Sequence, residues 1–133
     1  MIRKFELGDH LKLEPNEHSR MGDIADVFFD DDFVKHTLDD GGEVKCILCW
    51  KQYLPKHYAI FFLMPDGVEF KHARALKRFL DDAALKLNPK SCITYSFDCD
   101  ILNRWHKFFG FEQQRKSLLD QANGFNTWLI KWA

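Results

Sequence analysis

Residues 60–111 constrain this chain more than any other stretch, because the hydrophobic period changes there in an order that few folds accept. An apolar run over 60–64 reads as a strand, Pro65-Asp66-Gly67 as a turn, and a long amphipathic helix follows. In that helix Ala73, Leu76, Leu80, Ala83 and Leu87 recur at spacings of three and four, which puts them on one buried stripe. A second strand over 92–97, a short aromatic helix and the triplet Phe109-Gly110-Phe111 complete the pattern. Strand, crossover helix and strand form a β-α-β unit, whose helix begins at the end of a strand. Backbone N–H groups at such a helix end favour an anion, so function is expected there.

At 133 residues the chain has the length of one domain, spanning 1–133. Thirteen phenylalanines and an apolar fraction of 46% give it material for a core and argue against disorder. The net charge of −1 removes the broad basic surface that nucleic acids or membranes would need. No apolar run has the length of a spanning helix, and Met1-Ile2-Arg3-Lys4 lacks the hydrophobic segment of a signal peptide, so a cytoplasmic location is expected. Cys46 and Cys49 have the spacing of a metal pair but lie in an alternating stretch, Val44, Cys46, Leu48, Trp50. Residues three apart on a strand face opposite ways, so buried free thiols are expected and no metal.

Taken in order, residues 2–7 alternate as a first strand, with Gly8-Asp9 as a turn. Between 9 and 32, Pro15 with Met21, Ile24, Ala25 and Phe28 reads as a helix broken near Gly22. Asp30-Asp31-Asp32 is read as a solvated turn, since three consecutive carboxylates rarely converge on one cation. Residues 33–38 read as a strand, and Asp39-Asp40-Gly41-Gly42 as a hairpin turn into the strand from Glu43. A turn over 53–56 leads to residues 57–64, an apolar run expected to be a central strand covered on both faces. Asn88-Pro89 ends the long helix. Gly110-Phe111 opens a strand to about 116, residues 117–124 read as polar turn, and 126–132 as the last strand.

The early half of the long helix carries Lys71, His72, Arg74, Lys77 and Arg78. Positive charge near a helix amino end opposes the dipole, and a phosphate ligand would reverse that cost. For Lys71, His72 and Arg74 a ligand and a solvated face stay open; Lys77 and Arg78 are read as partners of Asp81 and Asp82.

A strand running into Pro65, then helix, strand, helix and Gly110-Phe111, resembles the core of the GNAT superfamily of N-acetyltransferases. The family's loop pattern, Gln/Arg-x-x-Gly-x-Gly/Ala, becomes Val68-x-x-Lys71-x-Ala73 here; Ala73 and Leu76 fit, while the Gln/Arg and the first glycine are absent. Counting back from Gly110, His106 holds the position of the family's tyrosine and Cys99 that of an asparagine. The chain looks most like the small acetyltransferase-like proteins of short-tailed bacteriophages, including internal virion proteins.

The resemblance implies an α/β (α+β) fold: one mixed, mostly antiparallel sheet of six to seven strands flanked by helices. It implies acetyl-CoA as donor, with pantetheine bonding to the backbone of Phe62, Leu63 and Met64. Val68, Glu69, Phe70, Lys71, His72, Ala73 and Arg74 would lie around the pyrophosphate, and Cys99 would also touch the cofactor. Lys71 in place of glycine puts a side chain where the backbone should approach the phosphates. His106 would protonate the departing thiolate, against a competing reading as a packing histidine beside Trp105. The strand over 57–64 lacks the glutamate that often serves as base, leaving His57, Tyr58 and Glu69 as the nearest candidates, with Tyr58 also readable as a core aromatic. Two functions compete: acetyl transfer to a small-molecule or protein amine, and a GNAT-shaped phage structural or host-interaction protein without turnover. A third is a module that binds acetyl-CoA but does not catalyse. A homodimer or virion partner, and host cytoplasm or virion as location, follow from the phage resemblance alone.

Overall fold

The computed structural model describes residues 1–13, 32–64 and 68–132. The expected helix around Pro15 to Phe28, most of the aspartate run and the Pro65-Asp66-Gly67 turn lie outside these residues. Seven strands form one sheet in the order β1-β2-β3-β4-β5-β7-β6. They are β1 Ile2–Lys4, β2 Val34–Asp40, β3 Glu43–Leu54, β4 His57–Leu63, β5 Ser91–Phe97, β6 Glu112–Gln113 and β7 Phe125–Lys131. Three α-helices occur among the described residues: α1 Phe70–Leu87, α2 Asp100–Phe108 and α3 Leu118–Asn123. The sheet is mixed: β4 and β5 run parallel, while β1 with β2, β2 with β3, β5 with β7 and β6 with β7 run antiparallel.

By internal contacts the chain falls into two compact units, Met1–Lys51 with Phe61–Phe79 and Gln52–Ile60 with Leu80–Ala133. The core of the first gathers Leu13, Val44, Ile47, Cys49 and Leu63, with Phe5 and Phe33 packed against it. Cys46, Ile47, Leu48 and Cys49 are consecutively buried, so the strand covered on both faces is β3. In β4, expected to play that part, Tyr58, Ile60 and Leu63 are buried and the residues between them half-buried. Both Gly41 and Gly42 have positive φ, 63° and 94°, as a two-residue hairpin turn requires. Asp39 and Asp40 therefore belong to β2 and not to the turn. A bulge between Leu38 and Asp39 shifts the register and re-aims both side chains.

The first strand is shorter than its alternation suggests, because a buried ion pair takes over after Lys4. Gly8 turns the chain into a 3-10 helix, Asp9–Lys12. Asp9 is 1% exposed and accepts bonds from both terminal nitrogens of Arg3, from the Glu6 N–H and from the Thr37 hydroxyl. Arg3 also donates Nε–H to Asp39 at 3.1 Å, tying β1 to the end of β2.

In the second unit, Pro55-Lys56 joins β3 to its hydrogen-bonded neighbour β4, and so short a link can only join antiparallel strands. Lys56 Nζ donates to the Leu87 carbonyl at 3.0 Å, a cation at the carboxyl end of α1. Two expectations fail here. The strand after Gly110 is only the two residues of β6. Residues 117–124 are no mere turn: the Ser117 side chain accepts from the Asp120 N–H while Asp120 accepts from the Ser117 N–H, a capping box that starts α3.

Asp9→Ala leaves Arg3 and Thr37 facing a void, and the variant should lose about 2–3 kcal/mol in urea titration. Arg3 holds the Asp9 carboxyl well below the usual carboxylate range. A depressed folded pKa contributes stability above the unfolded value and loses it on acidification. The difference between wild type and Asp9→Ala should therefore be full above about pH 4 and shrink below it.

Candidate functional site

The amino end of α1 is the first place the sequence pointed to. Glu69 precedes the helix and His72 stands three residues on, where a capping box would carry glutamate or glutamine. His72 fills that part with its ring: Nδ1 accepts the Glu69 N–H at 3.0 Å. With Nδ1 accepting, Nε2 carries the hydrogen and donates to Asp40 Oδ2 at 2.8 Å. The ring is fully buried, with both nitrogens engaged. Lys71 is exposed, and its Nζ lies 3.1 Å from Asp40 and 3.7 Å from Glu69. The His72 hydrogen bond, then Lys71, lowers the Asp40 carboxyl pKa, and Asp40 in turn raises that of Lys71.

Of the other expected pyrophosphate residues, Ala73 is buried in the core, Val68 is half-buried, and Phe70 and Arg74 are exposed. These neighbours do not fit a pyrophosphate: a ring occupies the cap and a carboxylate holds the nearest ammonium group. Leu63 and Met64 are buried and Phe62 half-buried. Asp40 was missed in sequence because nothing local links it to a helix 30 residues later.

In the second unit β4 and β5 begin as a parallel pair. Their ladder joins His57 to Ser91, Tyr58 to Cys92 and Ala59 to Ile93, three pairs although each strand is seven residues long. Cys99 is the cap residue of α2, half-buried, and its side chain makes no capping bond. His106 is 2% exposed. Its Nδ1–H donates to the Leu102 carbonyl at 2.7 Å, and its ring stacks on Trp128 at 5.3 Å and meets Phe111 edge-on. Burial lowers its pKa. The donor expected at this position is thus enclosed by aromatic rings. Trp128 in turn donates Nε1–H to Ser96 Oγ at 2.8 Å.

Around the start of α2, Asp98 accepts from Asn103, Asn126 and Lys116, and Asn126 also bonds Asn103 and Gln113. These bonds hold the Asp98 carboxyl down at about 2, with Asn103 the largest cause. Among the candidate bases, His57 Nδ1 bonds Ser91 Oγ, Tyr58 is buried as a core aromatic, and Glu69 is exposed beside Lys71. Cys46, Cys49 and Cys92 are buried free thiols. Burial pushes Cys49 and Cys92 up to about 12, and Cys46 higher. Among the described residues no cluster of His, Cys, Asp or Glu could hold a metal ion, and no helix is long and apolar enough to cross a membrane.

No protein-family model and no curated protein matches the chain. Solved structures do. The GNAT domain of S. lividans PAT aligns with a TM-score of 0.72 at 14% identity, over 98% of this chain and 89% of that one. A variant of the spermidine N-acetyltransferase SpeG from Vibrio cholerae gives 0.66 at 11% identity, over 98% and 94%. The Campylobacter jejuni N-acetyltransferase PseH, in complex with acetyl coenzyme A, gives 0.59 at 8%, over 85% and 77%. The chain has the GNAT fold, a seven-stranded mixed sheet flanked by helices.

A histidine whose folded pKa lies below its unfolded value contributes stability that is present above about pH 6.5 and is lost as pH falls. His106→Phe keeps the aromatic contacts and removes the titration. Its unfolding free energy should therefore fall less than wild type's between pH 7 and pH 5 in denaturant titrations.

Proposed function

We propose that the chain is an acyltransferase of the GNAT type, carrying acetyl from a thioester donor, acetyl-CoA, to an amine. The observation that carries this reading is the parallel ladder, three pairs long between strands of seven residues, in a fold that PseH shares in complex with acetyl coenzyme A. In this reading the pantetheine arm lies along the Phe62-Leu63-Met64 backbone, as an added strand would. The donor supplies an activated carbonyl. The amine nitrogen attacks it, the C–N bond forms, the C–S bond breaks, the nitrogen gives up one proton to solvent, and the thiolate takes one from solvent. His106 serves this reading as the residue that holds Trp128 and Phe111. Its Nδ1–H is committed to Leu102, and burial disfavours the imidazolium that would be needed to release a proton at neutral pH.

No carboxylate stands on β4, and in this reading the amine attacks in its uncharged form. A second reading, a GNAT-shaped protein without turnover and of phage-structural or host-interacting kind, is favoured by the enclosed His106 and the absent strand carboxylate.

Calorimetry with acetyl-CoA, followed by thiol release over an amine panel that includes spermidine, separates the two. Heat of binding and thiol release support transfer; binding alone leaves a module without turnover; no heat and no thermal shift overturn both uses of the donor. If transfer occurs, kcat/KM should climb about tenfold per pH unit below the acceptor's own pKa, as attack by the free amine requires. A bell-shaped profile centred near neutral pH would contradict that.

A further inference from the structure

Asp40 places a carboxylate beside the amino end of α1. Its carboxylate accepts His72 Nε2–H and pairs with Lys71, and Lys71 meets Glu69 on its other side. Lys45, which feels both Asp40 and Glu69, is itself paired with Glu43 at 2.8 Å. Within this ion-pair cluster Asp40, Glu69 and Glu43 outnumber Lys71 and Lys45, and His72 adds a neutral ring. A phosphate approaching the helix end on the side of this cluster would therefore meet an ammonium group already matched and a surplus carboxylate, with Arg74 exposed further along the helix. The cap N–H of Glu69 is bound as well.

We infer that Asp40 sets donor specificity: it makes the helix end reject the donor's phosphates, so that the protein selects the pantetheine thioester and gains little from the nucleotide half. The inference rests on the acyltransferase reading. Asp40 lies at the end of β2, beyond the bulge, and reaches the helix through side chains alone. Replacement by asparagine keeps an acceptor for His72 Nε2–H while removing the charge.

The test is calorimetry at low salt with coenzyme A and with pantetheine, on wild type, Asp40→Asn and Glu69→Gln. Wild type should bind the two ligands within about threefold of each other. Asp40→Asn should tighten coenzyme A by roughly three- to tenfold and leave pantetheine unchanged, with the gain fading in high salt. Glu69→Gln, at the longer distance, should move coenzyme A the same way by less, and it carries the test if Asp40→Asn melts below the assay temperature. Coenzyme A binding more than tenfold tighter than pantetheine in wild type, or affinity unchanged in both variants, would overturn the inference while leaving the acyltransferase reading intact. If neither ligand binds any of the three proteins, the acyltransferase reading itself falls.

Discussion

The backbone N–H groups at the start of a helix must find acceptors, and the way α1 meets this requirement shapes much of its unit. A glycine-lined loop would leave those donors for a ligand. Here His72, at the third helical position, turns its ring back to the Glu69 N–H and passes its own hydrogen to Asp40. A buried imidazole with both nitrogens bonded costs little, whereas one with an orphaned nitrogen would be expensive. Asp40 is thereby fixed by the helix as much as it fixes the helix. The bulge after Leu38 and the Gly41-Gly42 turn are what allow a strand residue to serve there.

The second unit is organised by a different constraint, the satisfaction of buried polar groups within an aromatic packing. Trp128 is fully buried, and its one polar atom is answered by Ser96 from the neighbouring strand. His106 lies flat against the same indole and turns its donor to its own helix. Asn126, also fully buried, is bonded by Asp98, Asn103 and Gln113. The Trp128–Ser96 bond holds β7 against β5, and the His106 stack packs α2 on β7. Asn126 ties β7 to α2, to β6 and to Asp98 just after β5, which leaves the orientation of β5 set by its antiparallel partner. The parallel pairing with β4 can then stop after three residues without loosening the strand.

Much of this fold was legible because it is local. The stripe on α1 is buried where Ala73 and Leu76 stand, and the alternation around Cys46 and Cys49 predicted the buried free thiols found there. One local signal went unread: Ser117-x-x-Asp120 is a capping box, yet the polarity of the segment suggested only a turn. The candidate site was less legible. Lys71 and His72 were noticed as charge at a helix end, but whether they await a ligand depends on Asp40, about 30 residues earlier in the chain. His106 has the right position by counting from Gly110, and counting says nothing about Trp128 lying over its ring.

The sequence by itself determined the order of elements, the β-α-β core and the faces that must be buried, because periodicity and turn chemistry act over a few residues at a time. Only the tertiary structure decided which polar groups are already spent. A carboxylate, an imidazole or a backbone N–H is available to a ligand only if no distant residue has reached it first, and that contest is settled by the packing of elements far apart in the chain.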